Sequence, residues 1–289
     1  MIPYERDGTE TMNKSESLLR MEHLRKKALR GAELETWGYA GILLLPVGLG
    51  LLFAGIRMRE KANQEMDELY REVFIREPLT GNFENVSFEP YEGFSEEMVE
   101  GFQLCPMGNE FDSEAYGKCS CKDVHVELSD VTIQDYARLA KKNNTTVFFK
   151  GRMVVLEFPE KIGTGETIFS KSFSHRALSP EEEQGKLLIE NEEYDRDFDL
   201  YVSDPQDRSQ RILPRLLEEL GSLSERHRGT AAKLDGNKLI LALDDGEGAA
   251  FYRKKKKEVS LDGELAKVQK DMDDIKAMIA LVSRQEQSS

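Results

Sequence analysis

The sequence predicts an α+β fold: a single transmembrane helix, then a mostly antiparallel sheet domain with packed helices, and a C-terminal helix with a heptad pattern. Three observations carry this expectation. Residues 37–56 contain no charged side chain. Short runs in which apolar and polar residues alternate, separated by turn-forming residues, fill most of residues 80–259, as half-buried strands require. After residue 260, apolar residues return at alternating spacings of four and three, which is the period of a helix seam.

Composition sets the outer bounds. A chain of 289 residues that is 39% hydrophobic and 33% charged has enough apolar material for one sizeable core and is globular rather than disordered. The net charge is −14, yet residues 1–60 carry 9 basic and 8 acidic side chains (net +1), which leaves −15 for the remainder. An acidic surface repels phosphate backbones and anionic headgroups, so nucleic-acid binding and broad electrostatic docking onto lipid are both disfavoured, and basic proteins or cations fit better. Cys105, Cys119 and Cys121 are odd in number and two of them are one residue apart. That is a poor disulfide framework and points to reduced thiols in a cytoplasmic domain.

Residues 1–36 form a polar N-terminus and a basic amphipathic helix, the helix running from about Ser15 to Glu35 with Leu18, Met21, Leu24, Ala28 and Ala32 on one stripe. Trp37 to Ile56 then provide twenty uncharged residues, which as one helix span roughly 30 Å, the thickness of a hydrocarbon core. Trp37 and Tyr39 suit one interface, and Arg57 and Arg59 suit the other. A competing arrangement turns the chain back at Pro46, Gly48 and Gly50 as a hairpin whose arms are too short to cross. Basic residues balance on the two sides, so the positive-inside rule gives no orientation; the thiols favour a cytoplasmic C-terminal domain at the cell membrane.

Residues 57–79 read as a helical stalk, with Met58, Ala62, Met66, Leu69 and Val73 on one face and an end near Glu77, before Pro78. Strands are expected near residues 86–89, 124–128, 131–136, 147–149, 153–158, 167–173 and 186–190, with a short helix from Ser95 to Leu104 capped by Ser95. A helix opened by Asp204 and Pro205 presents Ile212, Leu213, Leu216, Leu217 and Leu220. A hairpin follows, with residues 230–234 and 238–243 flanking Asp235, Gly236 and Asn237, and a last strand near residues 249–253. Residues 260–289 hold the final helix and tail, with a seam of Leu261, Leu265, Val268, Met272, Ile275, Ile279 and Val282 suited to coiled-coil pairing or to docking on the domain.

Candidate chemistry is sparse. Cys119, Cys121 and His125 would share one face if they stood in one continuous strand, and two thiolates with an imidazole are zinc ligands. Asp195, Asp197 and Asp199 alternate like a calcium loop, but Leu200 stands where that loop needs glycine. No nucleophile motif occurs and no cofactor is indicated.

The segments ENEEYDRDFDLYVSDPQDRSQRILPRLLEEL, DGNKLILAL and DMDDIKAMIALV, with the upstream EFDSEAYGKCSCKDVHVELSDV and FFKGRMVVLEF, resemble the bacterial domain-of-unknown-function family 3137. The resemblance implies a membrane-anchored domain on the cytoplasmic side, without an established activity or catalytic residues. The functional expectation is a membrane-anchored, non-catalytic interaction or scaffold module. It meets the bilayer through residues 37–56 and a protein partner or second copy through the C-terminal helix. The alternatives are a metal-dependent or hydrolytic enzyme using the Cys119, Cys121 and His125 cluster, and a lipid-sensing domain using the basic run Arg253 to Lys257.

Overall fold

A computed structural model describes residues 14–40, 47–139, 142–178, 185–187, 189, 191–202, 213–246 and 261–286. The chain divides into two compact units, Met1–Glu77 with Ala249–Leu265, and Pro78–Gly248 with Ala266–Ser289. The strand expected at residues 249–253 and the basic run at 253–257 lie outside the described residues.

In the first unit, α1 (Lys14–Ala40) packs along α2 (Val47–Arg71). Gly31 lies against Gly55 and Arg59, and Gly55 lies against Glu35, so the two helices run antiparallel. The contact is backbone to backbone: a Cβ on Gly55 would come 2.6 Å from the Glu35 nitrogen and 2.7 Å from the Gly31 oxygen. Only glycine permits so close an approach. Arg59 and Glu35 close an ion pair at 2.5 Å beside this crossing, and Met21, Leu24, Ala62 and Met66 are buried farther from the apolar end.

This pairing overturns the single transmembrane helix. The uncharged run is divided between the last four residues of α1 and the first ten of α2, and ten helical residues rise only about 15 Å, half a hydrocarbon core. No helix among the described residues is long and apolar enough to cross a membrane. Gly48 and Gly50 lie inside the first turn of α2, and Pro46 lies outside the described residues.

The stalk also departs from expectation. A π-helical turn spans Glu72–Arg76, in which the Glu77 N–H donates to the Glu72 carbonyl, and α3 (Glu77–Asn82) follows. Pro78 therefore sits early in a helix instead of ending one. Its missing N–H comes directly after the π turn within one continuous helical run.

Among the described residues the second unit has nine strands: β1 (Glu84–Glu89), β2 (Glu110–Cys121), β3 (Val124–Leu139), β4 (Lys142–Glu157), β5 (Gly163–Ser170), β6 (Lys186–Leu187), β7 (Phe198–Tyr201), β8 (Gly229–Gly236) and β9 (Lys238–Asp244). They form one sheet in the order β1-β2-β3-β4-β9-β8-β5-β7-β6, and every neighbouring pair is antiparallel. The β8–β9 hairpin turns at Gly236, whose φ of 61° is the left-handed conformation that glycine adopts without a Cβ penalty.

Helices cover the sheet. On one face α4 (Glu96–Phe102), capped by the Ser95 hydroxyl accepting from the Met98 N–H, places Val99 and Phe102 in a core with Phe94, Phe149, Met153, Phe169 and Tyr201. A short α5 (Glu192–Asp197) leads into β7, and α6 (Leu213–Ser224) lies against β8 with Leu216, Leu217, Leu220 and Leu223 buried. On β4 and β9 consecutive residues Met153 to Leu156 and Leu239 to Leu243 are all buried, the mark of strands covered on both faces. The last helix, α7, spans Leu261–Glu286.

Candidate functional site

The strand register decides the cysteine cluster. In the β2–β3 hairpin Cys119 pairs with Val126 and Cys121 with Val124, whereas His125 pairs with Ser120. Side chains alternate along a strand, so the two thiols share a face and His125 stands on the opposite one, because a turn intervenes where a continuous strand was expected. Among the described residues no group of three His, Cys, Asp or Glu side chains is placed to hold a metal ion. Cys119 is buried and Cys121 half-buried. Burial, then the neighbouring Cys121, pushes the Cys119 thiol up to about 12, so it is a packed thiol and not a nucleophile. Cys105 is likewise pushed up to about 12 by burial and by Asp244. It borders a cleft of about 340 Å³ with Glu100, Gln103 and Met107.

The heptad seam is turned inward. Leu265, Met272, Ile275, Ile279 and Val282 are buried and Val268 half-buried, while the side chain of Leu261 lies outside the described residues. Met278, which the seam does not include, is also fully buried, so the apolar face is wider than a two-helix coiled-coil stripe.

Polar contacts fix the same helix. His227, in the turn between α6 and β8, places Nδ1 2.8 Å from Asp245 and Nε2 3.1 Å from Asp271 of α7. Arg226 bonds Asp271 at 2.9 Å and Asp274 at 2.5 Å, and Lys267 bonds Asp245 at 2.6 Å. Burial works against the charged imidazole, but hydrogen bonds and charge from Asp245 and Asp271 outweigh it and raise the His227 pKa. A carboxylate at each ring nitrogen favours the charged imidazole, the form in which both nitrogens donate. Sequence spacing gave no sign of this cluster, whose members are up to 48 residues apart.

Asp195, Asp197 and Asp199 separate. Asp195 accepts from the Ile189 N–H and Asp197 pairs with its neighbour Arg196 on the surface, whereas Asp199 is buried in β7 among Lys171, Arg176 and Lys186. The alternation placed one of these carboxylates inside the sheet, where a calcium loop was the pattern considered.

The exposed apolar surface lies elsewhere. Trp37 is 70% exposed and Phe53 68%, with Leu51 also exposed, within the uncharged run at one end of the α1–α2 pair; Leu19 and Tyr91 are as exposed outside that run.

No curated protein and no solved structure matches the chain. A family model does, over residues 147–285, from β4 through β9 to the final helix; β1, β2 and β3 lie upstream of the matched range. The family is described as protein of unknown function (DUF3137), and its likeness to this chain covers residues 147–285.

Proposed function

We propose that this chain is a non-catalytic interaction module that attaches to a membrane surface through the apolar end of its α1–α2 pair and presents an acidic domain to a basic protein partner. The observation that carries the reading is the exposure of Trp37, Leu51 and Phe53 in a stretch without charge. Water is an unfavourable neighbour for such side chains, and aromatic residues concentrate where lipid meets water. Arg57 follows the uncharged run on α2, where its stem can lie along acyl chains while the guanidinium group meets phosphates. The insertion is into one leaflet, in keeping with arms of this length. Three free thiols support a cytoplasmic side for the domain, and a charge of −15 beyond residue 60 (−14 less +1) supports a basic partner.

Flotation of the full chain with lipid vesicles tests this reading. The unaltered chain should rise with the vesicles, and Trp37→Ser combined with Phe53→Ser should leave most of it at the bottom of the gradient. Equal flotation of both, or of neither, rejects the attachment.

A further inference from the structure

Three cationic side chains converge on the single carboxylate of Asp199. Lys171 Nζ lies 2.5 Å and Lys186 Nζ 2.7 Å from Oδ1, and Arg176 Nη1 lies 2.6 Å from Oδ2. The Asp199 side chain is only 7% exposed, so its position is set by β7, which pairs with β5 on one side and β6 on the other. One carboxylate cancels one of three positive charges. Among the described residues the cluster keeps an excess of two, in a protein whose net charge is −14.

The three cations are not equivalent. Arg176 is committed to the fold: Nε donates to the Phe173 carbonyl, Nη2 to the Ser170 carbonyl, and the guanidinium lies 5.2 Å from the centre of the Phe169 ring. Lys171 and Lys186 differ, being 44% and 48% exposed. Each ammonium has three N–H donors and gives one to Asp199, and among the described residues no second acceptor is seen for either. Because both lysines share Oδ1, their nitrogens are no farther apart than the sum of those two bond lengths. Two ammonium groups so close repel each other, and a second anion outside Asp199 relieves that repulsion. A tetrahedral oxyanion offers separate oxygens to both at once, and a doubly charged one matches the excess.

We propose that Lys171 and Lys186, aligned by Asp199 and backed by Arg176, form a binding site for a dianionic phosphoryl group. It is independent of the α1–α2 pair and of membrane attachment. Asp199 is a positioning residue here: it holds the two ammonium groups together without touching the ligand.

Calorimetric titration of the full chain with inorganic phosphate, at ionic strength held constant with chloride, tests the site. The expected result is one saturable site per chain, weakened at least about tenfold when Lys171→Gln and Lys186→Gln are combined. Lys186→Gln alone should show an intermediate loss, and Lys118→Gln, on the distant strand β2, none. Competition by glycerol 3-phosphate alone would place the phosphoryl group on a soluble ester, and competition by phosphatidate vesicles on a lipid. Absence of saturable binding, or binding that survives both lysine changes, overturns the proposal.

Discussion

His227 Nε2 lies 3.1 Å from Asp271 Oδ2, which ties the turn before β8 to the C-terminal helix through a nearly inaccessible contact. A histidine whose folded pKa is raised contributes stability that is fully present below its unfolded value of about 6.5 and is lost as pH rises through the folded value. Its partner Asp245 works at the other end: burial opposes its charge, yet the hydrogen bond and charge of His227, with Lys267, hold its carboxyl below the usual value. That contribution is present above the ordinary carboxyl range and fades as pH falls through the lowered one.

His227→Gln should therefore destabilise the second unit by about 1–3 kcal/mol near pH 6, the range for a buried polar group left without its partner. The difference from the unaltered chain should shrink as pH rises above 6.5. Thermal denaturation of both proteins across pH 5–9 checks this, and a difference that grows with pH would mean that the imidazole is neutral in the fold.

The buried seam of α7 leads to a second expectation. Ile275→Ala and Ile279→Ala each remove apolar volume from fully buried sites, and each should cost about 2–5 kcal/mol. The sedimentation coefficient should not change. If these residues paired with a second copy, the same substitutions would dissociate a dimer and lower the coefficient.

The helix crossing offers a paired test within the first unit. Gly55→Leu places carbon against the Glu35 and Gly31 backbones, which cannot rotate away, and should destabilise the α1–α2 pair by about 1–3 kcal/mol. At Gly50 nothing lies within 4 Å of a built Cβ, so Gly50→Ala should be neutral or stabilise by up to about 1 kcal/mol. Thermal melts followed by circular dichroism distinguish the two, and equal effects would place the crossing elsewhere.

Thiol chemistry separates the three cysteines. At pH 8 Cys121, the only one of them not fully buried, should react with a small disulfide reagent first. Cys105 and Cys119, both near 12, should react only on unfolding. Added zinc should leave the Cys121 rate unchanged, because His125 is on the opposite face of the hairpin. Mass spectrometry of timed aliquots identifies the modified residue.

Local patterns in the sequence identified local structure. The Asp235–Asn237 turn, the Ser95 cap and the leucine stripe of α6 depend on neighbours a few residues away, and they stand where expected. What the sequence hid depends on distant partners. Ser129 and Asp130 break the alternation between Leu128 and Val131, so β3 reads as two strands. In the fold Ser129 donates to the Glu114 carbonyl and Asp130 pairs with Arg152, which lets one strand run through. Lys150, Gly151 and Arg152 interrupt β4 in the same way. The uncharged run invited a spanning helix because hydropathy adds residues along the chain, while the approach of Gly31 to Gly55 joins positions that no window covers. The ion cluster at Asp199, which the sequence offers only as a calcium-loop carboxylate, and the contacts of His227 were hidden for a like reason: each is defined by side chains from other elements.

Trp37 is the one tryptophan in the chain and is 70% exposed at the apolar end of the α1–α2 pair, so its fluorescence reports on that end alone. Mixing the full chain with vesicles of mixed zwitterionic and anionic lipid should shift its emission to shorter wavelength and shield it from an aqueous quencher. Emission that keeps its wavelength and stays fully quenched at saturating lipid would contradict the account.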